Sequence, residues 1–182
     1  MSETKPTYTI QNVVASASLF VKVPLEKVAK KLTNTEYNPE QFPGLVIRLE
    51  QPKISALIFS SGRIVVTGAK SKAMVEEAVE EIKKELKKVE IETTKKPEIE
   101  IQNVVASGDI GMKLNLNKLA FQLETSEYEP EQFPGLVYKV PKSHITFLLF
   151  GTGRIVCTGA KTKKEVKDEV EKLVKTLKKF VK

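Results

Sequence analysis

The chain has 182 residues, 41% hydrophobic and 29% charged, with 30 basic and 23 acidic side chains and a net charge of +7. These proportions are ordinary for a soluble globular protein, and no apolar run approaches the ~18 residues of a membrane span. The single Cys excludes an intramolecular disulfide and a cysteine metal cluster.

The start, residues 1–9, is polar and has no apolar h-region, so no secretory signal is expected, and residues 1–8 are expected to fray. Residues 9–19 read as a strand with Val13, Ala15, Ala17 and Leu19 on one side and Asn12, Val14, Ser16 and Ser18 on the other. Pro24 suits a first helical position, and Leu25, Val28, Ala29 and Leu32 follow at helical spacing. Residues 33–43, with two Asn and two Pro, read as a loop. Strands are expected over 45–49, 54–59 and 63–67, the last two forming a hairpin around Ser60, Ser61 and Gly62. A long helix over 71–89 carries Val75, Ala78, Val79, Ile82, Leu86 and Val89 on one face.

The order then repeats. Gln41-Phe42-Pro43-Gly44-Leu45-Val46 returns unchanged as Gln132-Phe133-Pro134-Gly135-Leu136-Val137, 91 residues later. The same offset relates Ile10–Ser16 to Ile101–Ser107, Gly62-Arg63-Ile64-Val65 to Gly153-Arg154-Ile155-Val156, and Thr67-Gly68-Ala69-Lys70 to Thr158-Gly159-Ala160-Lys161. Strands over 100–110, 136–140, 145–150 and 154–158 follow, with a short helix at 116–123. A last helix is lined by Val166, Val170, Leu173, Val174 and Leu177. Two units are therefore expected, residues 1–92 and 93–182. The period is too long for a solenoid and suits a pseudo-two-fold α+β pair. The basic excess belongs to both: residues 1–91 hold 14 basic and 11 acidic side chains, residues 92–182 hold 16 and 12. A basic protein charged alike in both halves suggests a polyanionic partner.

The helices need to cover only one side of the strands. The other side, however, is also apolar: Val14, Leu57, Phe59 and Val65, with their mates Val105, Leu148, Phe150 and Val156. Asn12, Asn103, Thr67 and Thr158 are interspersed, and no acidic residue belongs to the set. An apolar platform with a few neutral hydrogen-bonding groups marks a binding surface. It suits the minor groove of A·T-rich DNA, whose floor offers only acceptors, whereas guanine adds a protruding amino group. Phe42, Phe59, Phe133 and Phe150 can wedge between base steps. Arg48, Arg63, Lys139 and Arg154 can hold phosphates at the rim.

Together, IQNVVAS, YNPEQFPGLV, ALIFSSGRIVVTGAK and their second copies resemble the conserved core of the TATA-box-binding protein family, archaeal type, from about Ile10 to Val181. The resemblance implies a saddle, with a curved antiparallel sheet beneath and helices on the convex face. Minor-groove kinking is a standard property of that family. It implies that the four Phe intercalate, that Asn12, Asn103, Thr67 and Thr158 bond the groove floor, and that Val14, Val105, Leu57, Leu148, Val65 and Val156 touch it. It implies that Glu129, Glu131 and Gln132 bind transcription factor B. The implied role is a general initiation factor on A·T-rich promoter double-stranded DNA, recruiting RNA polymerase indirectly, with no membrane, cofactor, metal or catalytic residue. A homodimer can cover the platform when DNA is absent. The expected location is the cytoplasm of an archaeal cell, on its nucleoid, or the nucleus of a eukaryotic one.

Rival readings are weaker. The platform can instead take a protein or an apolar ligand. An enzyme lacks any nucleophile–base pair or paired carboxylates. Cys157 stands in place of Val66 and reads as a small buried hydrophobe. His144, the only His, reads as a surface residue, and Gly151-Thr152-Gly153-Arg154 as a hairpin turn and not a phosphate loop. Lys83, Lys84, Lys87, Lys88 and the basic stretch 175–182 read as solvated helix faces interleaved with Glu.

Overall fold

Alternating small and branched residues make Thr7–Ser18 a strand, β1, in the computed structural model, which describes residues 5–180. It begins two residues before the expected start, so residues 7 and 8, expected to fray, belong to the strand. What was expected of residues 1–4, 181 and 182 lies outside the described residues. Helix α1 is Leu25–Lys31. Pro24 is its N-cap and not its first helical residue: ψ is 93°, and its carbonyl accepts the Val28 N–H at 3.1 Å. Proline has no N–H to leave unpaired there, so the cap position costs it nothing.

The expected loop over 33–43 contains a two-residue strand, β2 (Thr35–Glu36), paired with β3 (Leu45–Glu50). β4 (Lys53–Ile58) and β5 (Arg63–Ala69) complete the antiparallel run. Helix α2 is Lys72–Lys87, and the Ser71 hydroxyl caps it by accepting the Met74 N–H at 3.2 Å. The second copy supplies β6 (Glu98–Asp109), α3 (Leu116–Gln122), β7 (Ser126–Glu127), β8 (Leu136–Lys139), β9 (Thr146–Leu149), β10 (Arg154–Ala160) and α4 (Lys163–Phe180). Neighbour order is β2-β3-β4-β5-β1 in the first copy and β6-β10-β9-β8-β7 in the second.

Contacts divide the chain into one unit of residues 12–102 and another that joins the segment through Gln11 to residues from 103 onward. In the first unit, α2 turns Val75, Ala78, Val79, Ile82 and Leu86 inward, all buried, toward the side of the strands that carries Ile47, Ala56, Ile58, Ile64 and Val66. In the second, α4 does the same with Val166, Val170, Leu173, Val174 and Leu177, toward Phe147, Leu149, Ile155 and Cys157. Each of the Val, Leu, Ile and Phe side chains contributes about 1.5–3 kcal/mol by leaving water. The outer faces of the helices carry Lys–Glu pairs three residues apart, including Lys83–Glu80, Lys84–Glu81, Lys88–Glu85 and Lys172–Glu169. Those lysines are therefore balanced within their own helix faces, Lys84, Lys88 and Lys172 in solvent and Lys83 half-buried.

Candidate nucleic-acid interface

Strand alternation sends every second residue away from the helices. Val14, Val46, Leu57 and Val65 are all half-buried, in contrast to their fully buried neighbours. Register sets them side by side: Val46 opposes Leu57, Leu57 opposes Val65, and Val65 opposes Ser16. The second unit repeats this row with Val137, Leu148, Val156 and Ser107. One step along, Arg48 opposes Ser55, which opposes Thr67. Its counterpart is Lys139, Thr146 and Thr158. Residues directly opposed in a sheet share a face, so these rows are continuous surfaces.

Asn12 is fixed by a bulge. The register of β1 on β5 slips between Val13 and Ala15, leaving an extra residue on β5 where Gly68 has φ +96°. Asn12 Oδ1 accepts the Gly68 N–H at 2.7 Å, and its Nδ2 donates to Thr67 Oγ1 at 3.2 Å. The second unit repeats both: Asn103 Oδ1 takes the Gly159 N–H at 2.7 Å, and Nδ2 donates to Thr158 Oγ1 at 3.1 Å. An amide has two N–H groups, so one remains for a ligand. A threonine hydroxyl that accepts from Asn keeps its own hydrogen to donate. Each unit thus presents donors set in an apolar surface.

The four Phe form two matching pairs. Phe42 and Phe59 meet edge to face at 5.9 Å between centroids, as do Phe133 and Phe150. Phe42 and Phe133 are each 42% exposed, unusual for so large an apolar group. Each loop is held by one carbonyl: Asn38 accepts from the N–H groups of Gln41 and Phe42, and Glu129 from those of Gln132 and Phe133. Glu129, Glu131 and Gln132 are therefore displayed on an ordered turn, and all three are exposed. Arg48, Arg63, Lys139 and Arg154 are exposed as well, Arg48 lying 3.4 Å from Glu36.

The structure thus sets the expected residues in two equivalent half-surfaces. It adds others that pattern reading passed over. Val46, Val137, Ser55 and Thr146 lie in the same rows; the alternation that selected Arg48 and Leu57 was the available signal. Asp109 opposes Arg154 and lies on the same side of β6 as Ser107. Asp109 is thus a carboxylate on this side of the strands, as are Glu36 and Glu127, which oppose Val46 and Val137, so acidic residues border the named set, which itself holds none.

Elsewhere the polar groups are structural. His144 Nε2 lies 2.5 Å from Glu165 Oε1 on an exposed edge. Residues 150–154 form the expected hairpin turn, in which Gly153 N–H bonds Phe150 O and Phe150 N–H bonds Arg154 O. Cys157 is buried, and desolvation, then Glu169 and Glu165, push its thiol up to about 12. Among the described residues no cluster of His, Cys, Asp or Glu is placed to hold a metal, and no helix is long and apolar enough to cross a membrane.

Comparison with known proteins agrees with this geometry. The family model described as transcription factor TFIID, or TATA-binding protein, matches residues 7–89 and again 98–180. The TATA-box-binding protein of Pyrobaculum neutrophilum is 47% identical over 178 residues, which is 98% of this chain and 90% of the relative. That of Thermococcus kodakarensis is 48% identical over 171 residues, 94% and 90%. A solved structure, Methanococcus jannaschii TBP, matches with TM-score 0.87 and 48% identity over 94% of this chain and 98% of that one. The α+β fold of two tandem repeats expected from the sequence is the fold of that protein.

Proposed function

We propose, because this chain belongs to the TATA-box-binding protein family, that it is a general initiation factor that grips A·T-rich promoter DNA through the minor groove. The observation that carries the reading is the doubled surface: an apolar row flanked by Asn–Thr donors in each unit. Adenine N3 and thymine O2 only accept hydrogen bonds, so a floor of donors and methyl groups fits A·T pairs and leaves a guanine amino group unpaired. The rows of Val14, Val46, Leu57 and Val65, and of Val105, Val137, Leu148 and Val156, would lie against the groove floor. Phe42 with Phe59, and Phe133 with Phe150, would enter base steps and kink the duplex, as minor-groove proteins of this family do. Deformable TA steps would then be favoured without direct base readout.

Arg48, Arg63, Lys139 and Arg154 would contact phosphates and give affinity its salt dependence. Glu129, Glu131 and Gln132 would meet transcription factor B, which in turn brings RNA polymerase. Their exposure on an ordered turn supports that role. A second copy would cover the apolar rows when DNA is absent. In an archaeal cell the protein would sit on the nucleoid.

The test is an anisotropy titration with a TATA duplex and a G·C-substituted one, at several salt concentrations, with and without transcription factor B. Selective, salt-sensitive binding that the factor strengthens is expected. Equal affinity for both duplexes would sink the minor-groove reading. Replacing Phe59 or Phe150 by Ala should reduce bending, read by end-to-end energy transfer, more than it reduces stability. Unchanged bending by a folded variant would remove the wedge assignment.

A further inference from the structure

The two copies differ in charge opposite one equivalent pair of rim arginines of the proposed DNA face. Arg63 of β5 is opposed across the strand pair by Ser18, whereas its equivalent, Arg154 of β10, is opposed by Asp109. Opposed residues of an antiparallel pair share a face, with Cβ atoms about 4.5–5.5 Å apart. Both opposing residues do the same local work. Ser18 Oγ accepts the Phe20 N–H at 3.3 Å, and Asp109 Oδ1 accepts the Gly111 N–H at 2.8 Å. The turn needs an acceptor there, and Ser serves in one copy, so it does not need a charge. The other carboxylates near rim cations lie two strands away, beside Arg48 and Lys139: Glu36, 3.4 Å from Arg48, opposes Val46, and Glu127 opposes Val137. Asp109 is the carboxylate that stands opposite one member of the Arg63–Arg154 pair and has no counterpart opposite the other.

We propose that Asp109 makes Arg154 the weaker of these two equivalent phosphate holders, so that at this position the second copy grips the duplex backbone less tightly than the first. The proposal rests on the minor-groove reading above. A phosphate at Arg154 meets a fixed carboxylate of its own sign, and the guanidinium must divide its attraction between the two. A phosphate at Arg63 meets only a hydroxyl. Unequal grip at equivalent positions gives a physical reason for a preferred direction on a nearly symmetric groove.

The experiment is a mutant cycle on the TATA duplex by anisotropy, at low and moderate salt. Asp109→Asn keeps the oxygen that accepts from Gly111 and removes the charge, so its melting temperature should match the parent's. Arg63→Ala should weaken binding more than Arg154→Ala, by about three- to fivefold. Asp109→Asn should tighten binding about threefold and raise the cost of Arg154→Ala to that of Arg63→Ala. Ser18→Asp should do the reverse in the first copy, lowering the cost of Arg63→Ala. Equal costs of the two Arg substitutions in the parent, or a cost of Arg154→Ala that Asp109→Asn leaves unchanged, overturn the proposal while selective binding stands. A parent that does not prefer the TATA duplex overturns the minor-groove reading and this proposal together.

Discussion

Asn12 and Gly68 are joined by a 2.7 Å hydrogen bond in which a side-chain oxygen takes the N–H of a bulged glycine at φ +96°. Asn103 and Gly159 repeat it at 2.7 Å and φ +99°. One atom of the amide closes the bulge, and the other donates to a threonine and keeps a second N–H for the proposed groove floor. The two tasks can therefore be separated by Asn→Asp, which keeps Oδ1 and removes the donor. Asn12→Asp should change unfolding free energy by no more than about 1 kcal/mol, because the Thr67 hydroxyl can turn to donate to the new carboxylate. Affinity for a TATA duplex should fall near 100-fold, about 2–3 kcal/mol, since an anion would face acceptors only. Denaturant titration and anisotropy measure the two effects. Equal loss in both would mean that Asn12 serves folding alone.

The paired glycines are not interchangeable. A Cβ on Gly68 would find its nearest neighbour, the Ile54 Cα, at 3.9 Å. A Cβ on Gly159 would sit 2.2 Å from the carbonyl oxygen of His144. Both Ala substitutions incur the positive-φ cost of about 1–2 kcal/mol. Only Gly159→Ala must also move backbone, which should add about 1–3 kcal/mol. Thermal unfolding of the two variants should separate them, with Gly159→Ala melting lower. Equal melting temperatures would show that the backbone at His144 yields freely.

The long helices and the repeated strands were legible because their periods are long and apolar; α2 and α4 bury the residues their spacing selects. β2 and β7 were not, because two residues cannot show alternation, and Thr35–Glu36 lies among turn-forming Asn and Pro. The bulge that extends β5 to Ala69 was invisible for a related reason: Gly68 reads as a strand end, and only the register shows the chain continuing past it. Asn12, Thr67 and the Phe residues were identified at the sequence level through the exact repeat and the family resemblance. Val46 and Ser55 share the alternation of Arg48 and Leu57 and were legible by it, whereas Asp109 needed its cross-strand partner to be known, since pairing sets it beside Arg154.

Gly44 and Gly135 set the Phe pairs. A Cβ on Gly44 would lie 2.7 Å from Phe42 Cε1 and 3.1 Å from Phe59 Cε1; on Gly135 it would lie 2.7 Å from Phe133 Cε1 and 3.0 Å from Phe150 Cε1. Ring edges can swing, so the fold tolerates the methyl, but the edge-to-face pair cannot keep its geometry. Gly44→Ala should cost about 1 kcal/mol in stability, within the range for disturbed aromatic pairs. The bend measured by end-to-end energy transfer should decrease. Gly44→Ala combined with Phe42→Ala should recover part of the lost stability, because the clashing ring is gone. No recovery would mean that the methyl strains the backbone and not the ring.

Cys157 gives the fold an alkaline weakness. Its thiol is raised from 9.0 to about 12, by burial first and then by Glu169 and Glu165. Unfolding restores the ordinary value, so above pH 9 the unfolded chain loses this proton while the folded chain keeps it. The unfolded state then binds fewer protons, and stability falls as pH rises, by about 1.4 kcal/mol per unit between pH 9 and 12 from this group alone. Tyr138, raised by burial and by Glu169, acts in the same sense at higher pH. Val66 occupies the equivalent buried position in the first copy, so Cys157→Val fits a site of this shape. The variant should match the parent near pH 7 and fall less steeply above pH 9, as measured by denaturant midpoints across that range. Parallel slopes for parent and variant would place the alkaline loss on other groups and show that the thiol ionises freely in the folded protein.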